Sequence, residues 1–228
     1  MNIDNLILEI TRRCNMKCEH CLKGDAENMN ITENIIDTLL LDNNIEYISQ
    51  VTFTGGEPSL NIKAIENFLK TCKNNNIDIG NYYIATNGKQ ENKEFLLLLL
   101  ELYLYCSDNE ITQVEVSRSN FHYDQDEHWI EMLKVLKFCS ERKHLTYENI
   151  ISEGRGKKLN EANGLDSARC TTDIETTLTI EDDTVHDTLF INAKGDILTD
   201  CDLSYETQEK LKIGNILIHK LIELKSTT

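Results

Sequence analysis

The chain has 228 residues, 40% of them hydrophobic and 27% charged, which suits one folded domain with a substantial core. Its 39 acidic and 23 basic side chains leave a formal charge of −16, a surface that repels phosphate backbones and anionic lipid and argues against extended nucleic-acid or membrane binding. No apolar run is long enough to cross a bilayer, and "MNIDNLILEIT" has neither the basic leader nor the cleavage site of a signal peptide, so a cytoplasmic protein with reduced thiols is expected.

In chain order, residues 5–11 (NLILEIT) read as a strand running into TRRCNMKCEHCLKG, where Cys14, Cys18 and Cys21 stand within eight residues. A helix follows over 30–43, with Thr32 as N-cap and Ile35, Ile36, Leu39 and Leu40 as its apolar stripe. Residues 47–54 (YISQVTFT) form a second strand ending at Gly55-Gly56-Glu57-Pro58, which holds the chain's one proline. The segment 61–74 places Ile62, Ile65, Phe68, Leu69 and Cys72 on one helical face. A third strand (81–88) ends at Thr86-Asn87-Gly88, and a leucine-rich helix occupies 92–105. A fourth strand (111–119) carries Ser117 and Arg118 at its end, a fourth helix spans 126–142, and a fifth strand (144–151) closes at SEGRG.

Strands alternating with helices of this length imply right-handed βαβ units and a parallel sheet. Each strand ends in a polar or glycine-bearing turn, and the C-terminal rim of such a sheet is where chemistry is assembled, so five such turns predict one site. Beyond about residue 157 the pattern dissolves into a polar stretch. Two strands follow within 188–204, joined by an Ala-Lys-Gly-Asp turn, and then a short closing helix over 217–224.

Three thiols on one loop admit three readings. A disulfide framework is disfavoured in a reducing compartment. A structural zinc site wants a fourth ligand, for which His20 is the local candidate. An iron–sulfur cluster held by three thiolates keeps one coordination position open, as a catalyst requires.

The C-x3-C-x2-C loop after the first strand, followed by Gly-Gly-Glu-Pro after the second, resembles the radical S-adenosylmethionine enzymes over roughly residues 5–155. The resemblance implies an α/β fold, a partial (β/α)6 TIM-like barrel with a small C-terminal β-hairpin and helix extension. Residues 1–157 would be the barrel core and 158–228 the C-terminal part. It implies that Cys14, Cys18 and Cys21 bind a 4Fe-4S cluster whose open iron chelates S-adenosyl-L-methionine, and that one electron cleaves this cofactor to methionine and a 5′-deoxyadenosyl radical. An external donor such as flavodoxin or ferredoxin would supply the electron. In this reading Gly55 and Gly56 let the backbone approach the cofactor, Glu57 adds an acceptor for its ammonium, and Pro58 stiffens the turn. His20 stands where the family usually has an aromatic residue near the adenine. Thr86 and Asn87 fall where polar residues near cofactor or substrate are common. Ser117 and Arg118 lie where side chains reach the ribose or the carboxylate, Arg118 in a fork geometry. The turn Glu153-Gly154-Arg155-Gly156 looks like a cofactor-facing loop of parts of the family, the alternative being a solvated charge run of Arg155, Lys157 and Lys158. No protein side chain is assigned a catalytic role.

Cys72, Cys106 and Cys139 read as core residues, Cys139 on a helical face with Met132 and Leu136. His122, His128 and His144 show no ligand spacing. Cys201 follows Gly195 in a pattern similar to the start of SPASM and twitch extensions, which in many peptide maturases bind auxiliary clusters. With only Cys170 to join it, a cluster-free remnant of that hairpin is the expectation. The function expected is hydrogen abstraction from a small molecule or peptide. The alternatives are a glycyl-radical enzyme activase, nucleoside-type chemistry in a compact synthase, or a non-catalytic zinc-binding or degenerate barrel.

Overall fold

The computed structural model describes residues 1–143, 149–165 and 175–225. Strand β1 (Asn2–Thr11) runs between β2 (Tyr47–Gly55) and β7 (Thr184–Ile191), parallel to both. A parallel strand covered on both faces needs a continuous apolar run rather than alternation, and Leu6, Ile7, Leu8 and Ile10 supply it, all buried. Glu9 interrupts that run and is also fully buried. Beyond β2 lie β3 (Asp78–Thr86), β4 (Gln113–Ser117) and β5 (Cys139–Arg142), each parallel to its neighbour. Beyond β7, β8 (Asp196–Leu198) and β9 (Gly214–Asn215) turn antiparallel, and the two-residue β6 (Ile180–Glu181) pairs with β7. The order is β5-β4-β3-β2-β1-β7-β8-β9, and among the described residues β5 and β9 do not pair, so the sheet is the unclosed α/β barrel expected.

Helices α1 (Glu33–Asp37), α2 (Ile62–Asn75), α3 (Lys93–Tyr105) and α4 (Glu127–Leu133) begin at residues whose side chains or backbone suit a helix start. Thr32, Asn92 and Asp126 each accept a hydrogen bond from a first-turn N–H, satisfying donors the helix cannot. Ile35, Leu39, Phe68, Leu69, Cys72 and Leu99 pack these helices into one core with Leu6, Leu8, Phe53 and Tyr82. The two phenylalanines, Phe53 and Phe68, meet edge to face at 5.2 Å. On the opposite face of β1, Ile7 packs with Phe190, Leu198 and Leu203, so the C-terminal residues cover part of the barrel's inner surface.

Several expectations need correction. The helix expected over 126–142 ends at Leu133, and Cys139–Arg142 pairs with β4 instead, Val114 opposite Cys139. The free edge of β4 presents backbone groups that need partners, and residues 139–142 alternate half-buried with exposed, a strand's pattern. Cys139 still reaches the core, from a strand. The strand expected over 144–151 falls mainly on residues 144–148, outside the described residues, and 149–151 are not strand. Two helices stand where none was expected, α5 (Gly154–Ala162) and α6 (Tyr205–Leu211). The closing helix is a single 3-10 turn, Leu221–Leu224. The C-terminal hairpin is present as β7 and β8, turning through Gly195 at φ +82°. Among the described residues no helix is long and apolar enough to cross a membrane.

Candidate functional site

The C-terminal strand ends open on a cavity of about 400 Å3. Thr54 of β2, Ala85 of β3 and Ser117 of β4 line it, and all three cysteines of the loop after β1 reach its wall. Cys18 is buried and Cys14 and Cys21 are half-buried, all as free thiols. Main-chain bonds fold the loop back on itself: the Cys21 N–H donates to the Cys18 carbonyl at 3.2 Å, and the Met16 N–H to the Cys14 Sγ at 3.4 Å.

The loop is held at its entrance by the Gly-Gly-Glu-Pro turn. The Gly56 and Glu57 N–H groups donate to the carbonyls of Thr11 and Arg13, each at 2.8 Å. A Cβ at Gly55, whose φ is +147°, would lie 2.0 Å from the Thr11 oxygen, and one at Gly56 would lie 2.2 Å from the Arg13 oxygen. The missing side chains are therefore filled by the backbone leading into the cysteines. Glu57 is 1% exposed, and both its oxygens accept hydrogen bonds: from the Thr86 hydroxyl (2.7 Å), the Ser59 N–H (3.1 Å) and the Asn87 N–H (2.7 Å). Burial raises its pKa above the usual carboxylate range, partly offset by those donors. The Asn87 amide in turn donates to the Asn15 side chain at 2.8 Å and approaches the Cys14 sulfur at 3.9 Å, carrying the contact into the loop. Pro58 starts a short 3-10 turn at the cavity wall, where its missing N–H costs nothing.

A second glycine turn holds the exit. At the start of α5, a Cβ on Gly154 would lie 2.3 Å from the Leu22 oxygen, and one on Gly156 would lie 2.5 Å from the Ile151 oxygen and 2.9 Å from that of His20. Arg155, between them, donates from its N–H to the Cys21 carbonyl (2.9 Å), from Nε to the Cys18 carbonyl (2.9 Å), and from Nη1 to the Gly24 carbonyl (2.6 Å). The solvated charge run considered for Arg155 is thus not what the structure has: only Lys157 and Lys158 fit that description.

Burial keeps the Cys14 and Cys18 thiols of the bare loop from ionising. Burial, then the neighbouring thiols, push Cys18 up to about 11, and burial raises Cys14, so in bare protein both prefer the neutral form. A metal centre is what converts such thiols to thiolates. Three soft donors on one cavity wall suit an iron–sulfur cluster that takes one thiolate per iron. His20 is pushed down to about 4 by burial, then by His122 and Arg155, and its ring lies 4.8 Å from Phe121 and 5.2 Å from His122. Its Nδ1 is buried without a partner, a neutral ring with one unmet polar atom in the cavity wall. Among the described residues no group of three His, Cys, Asp or Glu side chains is gathered tightly enough to hold a single metal ion.

Of the residues the sequence proposed, Cys14, Cys18, His20, Cys21, Gly55, Gly56, Glu57, Pro58, Thr86, Asn87 and Ser117 are brought to this one cavity. Arg118 is not. It turns away, donating to Glu127 at 2.7 Å and Gln125 at 3.2 Å, and lines a separate depression with Tyr123 and Lys143. The cavity's arginines are instead Arg155, which belongs to the Glu153-Gly154-Arg155-Gly156 turn expected to face a cofactor, and Arg142, which sequence reasoning missed along with Ser119, His122 and Tyr205. Strand alternation could have separated Ser117 from Arg118, since neighbouring strand residues face opposite sides.

The C-terminal part reaches the same loop from the other side. Arg12, 1% exposed, donates from Nε to Glu9 (2.7 Å) and from its other nitrogens to Gln208 of α6 (2.7 Å) and Glu27 (3.0 Å), with the Tyr205 ring 4.3 Å from its guanidinium. Gln208 donates to the second Glu9 oxygen at 3.0 Å, and Lys23 donates to the Cys201 carbonyl at 2.7 Å. Cys201 is half-buried and pushed up to about 11, chiefly by burial. Cys170 lies outside the described residues.

Comparison with known proteins agrees with this geometry. The family model of the 4Fe-4S single cluster domain matches residues 8–135, which take in both the cysteine loop and the Gly-Gly-Glu-Pro turn. The protein MJ0907 of Methanocaldococcus jannaschii is 38% identical over 105 residues, 43% of this chain, and the match spans only about a third of that relative, 35% of its length. Among solved structures, native anSMEcpe with bound AdoMet and a Cp18Cys peptide aligns with 100% of this chain and 81% of its own, at a TM-score of 0.61 and 15% identity. BtrN, in its selenomethionine form and an open conformation, aligns with 97% of this chain and 79% of its own, at a TM-score of 0.53 and 14% identity. At such identities the likeness is one of fold.

Proposed function

Because the chain belongs to the 4Fe-4S single cluster domain family of the radical S-adenosylmethionine superfamily, we propose that it reductively cleaves S-adenosylmethionine and abstracts hydrogen from a peptide or small-molecule substrate. The observation that carries this reading is the arrival of Cys14, Cys18 and Cys21 on one wall of the cavity at the strand ends. When bound, the cluster would supply one electron to the sulfonium, giving methionine and a 5′-deoxyadenosyl radical that takes a hydrogen atom from the substrate. The three thiols would hold three irons and leave the fourth to the methionyl group. The Gly55-Gly56-Glu57 backbone, with Thr86 and Asn87, would border the methionyl end, and His20 would border the adenine. Ser117 and Arg142, which line the cavity, would meet the ribose or a carboxylate. Buried walls at Cys18, Glu57, Thr86 and Asn87 would keep water and stray hydrogen donors away from the radical.

A peptide substrate draws support from the fold shared with anSMEcpe, which was solved with a peptide bound. Residues 1–157 would be the catalytic barrel, residues 158–228 its closing arm, and a flavodoxin or ferredoxin the electron source. The test is anaerobic: reconstitute the full chain, add dithionite and S-adenosylmethionine, and assay 5′-deoxyadenosine. The reading expects product from the wild type and none from Cys18→Ala; a cluster-loaded wild type that makes none overturns it.

A further inference from the structure

We propose that Arg155 is a positioning residue for the cluster: it clasps the exit of the cysteine loop and sets a fixed positive charge beside the thiolates, which holds the ligands in register and raises the cluster's reduction potential. The inference rests on the cluster reading above and concerns one residue that lies 134 positions after Cys21 in the chain.

Its geometry carries the first half. One residue satisfies the carbonyls of Cys18, Cys21 and Gly24, spanning the second and third cysteines and the turn beyond them. The main-chain N–H makes the Cys21 bond, and the forked, planar side chain makes the other two, its Nε and Nη1 pointing in fixed directions from one plane. Gly154 and Gly156 let the clasp close, since a side chain at either would strike backbone oxygen of the loop or its neighbours. Lysine would keep the charge and lose the fork.

Charge carries the second half. The guanidinium lines the same cavity as the three cysteines with a side chain 18% exposed, and its Nε lies 2.9 Å from the carbonyl of one of them, Cys18. Among the described residues its acidic partner is Asp25 at 2.9 Å, which is 77% exposed and therefore screened by solvent. Of the other cations lining the cavity, Lys23 is turned to Glu9 and the Cys201 carbonyl, and Arg142 lies at the end of β5. A centre bound by three thiolates is anionic and becomes more so on reduction, so a nearby fixed cation favours the reduced state.

The experiment compares reconstituted wild type, Arg155→Lys and Arg155→Gln in the full chain, reading the midpoint potential by a titration followed by electron paramagnetic resonance and the rate of iron loss to a chelator. Arg155→Gln is expected to shift the potential to more negative values and to speed iron loss about tenfold. Arg155→Lys is expected to keep the potential near the wild-type value while still losing iron faster. Wild-type potential and wild-type iron loss in Arg155→Gln overturn the proposal. Should Arg155→Gln take no cluster, Arg155→Lys decides: faster loss at unchanged potential supports it, and a wild-type rate overturns it. Asp25→Asn, which leaves the three carbonyl bonds in place, controls for general damage and should lose iron at the wild-type rate. If the wild type itself takes no cluster, the cluster reading fails, an outcome visible before any variant is compared.

Discussion

At the entrance of the cysteine loop, Gly55 and Gly56 lie against the carbonyls of Thr11 and Arg13; at its exit, Gly154 and Gly156 lie against those of Leu22 and His20. The contacts are alike in kind and differ in what reinforces them. The entrance is backed by Glu57, wholly inside the protein and bonded to Ser59, Thr86 and Asn87, so its hold is steric and shielded from solvent. The exit is backed by Arg155, a charged side chain partly open to water and paired with the exposed Asp25. A loop that must present three thiols to one centre is thus fixed rigidly where it leaves the sheet and electrostatically where it returns to solvent. The first grip sets position; the second adds a charge that the site can use.

Alanine at the glycines would break this symmetry most. Gly55→Ala forces a Cβ to 2.0 Å from a backbone oxygen between two paired strands, at a φ of +147°, and is expected to destabilise the fold by about 4 kcal/mol. Gly154→Ala meets a similar obstacle at 2.3 Å with φ +53°, but Leu22 and Gly24 are only half-buried and the loop can yield, so about 3 kcal/mol is expected. Chemical denaturation of both variants checks the order. Equal losses, or a larger one at Gly154, would mean that the exit is as rigid as the entrance.

A smaller effect separates the two grips by pH. Burial raises the Glu57 pKa in the folded protein, so the folded state holds that proton more tightly than the unfolded chain does. Its contribution to stability is therefore full below the ordinary carboxylate value and is lost as pH rises through the folded-state value. Glu57→Gln should flatten stability against pH in that window, with a constant offset of about 1 kcal/mol for the hydrogen bond its amide NH2 cannot accept. An unchanged slope would show that Glu57 does not titrate as its burial implies.

How much of this was legible in the sequence follows from range. β1 to β4 and α1 to α3 could be read from local periodicity and caps, because Ile35, Phe68 or Val116 face the core at fixed intervals from their neighbours. The entrance was legible too, since C-x3-C-x2-C and Gly-Gly-Glu-Pro each follow a strand. The reason the sequence offered for the glycines, backbone approach to a cofactor, is joined in the structure by a nearer one, backbone approach to the cysteine loop. β5 was missed because four residues become a strand only through the edge of β4. The exit is half legible: Glu153-Gly154-Arg155-Gly156 resembles a cofactor-facing loop, but nothing local says that Arg155 reaches the Cys18 carbonyl. The buried Arg12–Glu9–Gln208 network was invisible for the same reason, Gln208 lying 199 positions after Glu9.

The measurement that tests the central claim most directly is metal content after anaerobic reconstitution of the full chain, in the wild type and with Cys14, Cys18 and Cys21 all changed to alanine. The account predicts about four iron and four sulfide per wild-type chain and none in the triple variant. About one tightly held zinc per chain, or a cluster that survives loss of all three cysteines, would contradict it.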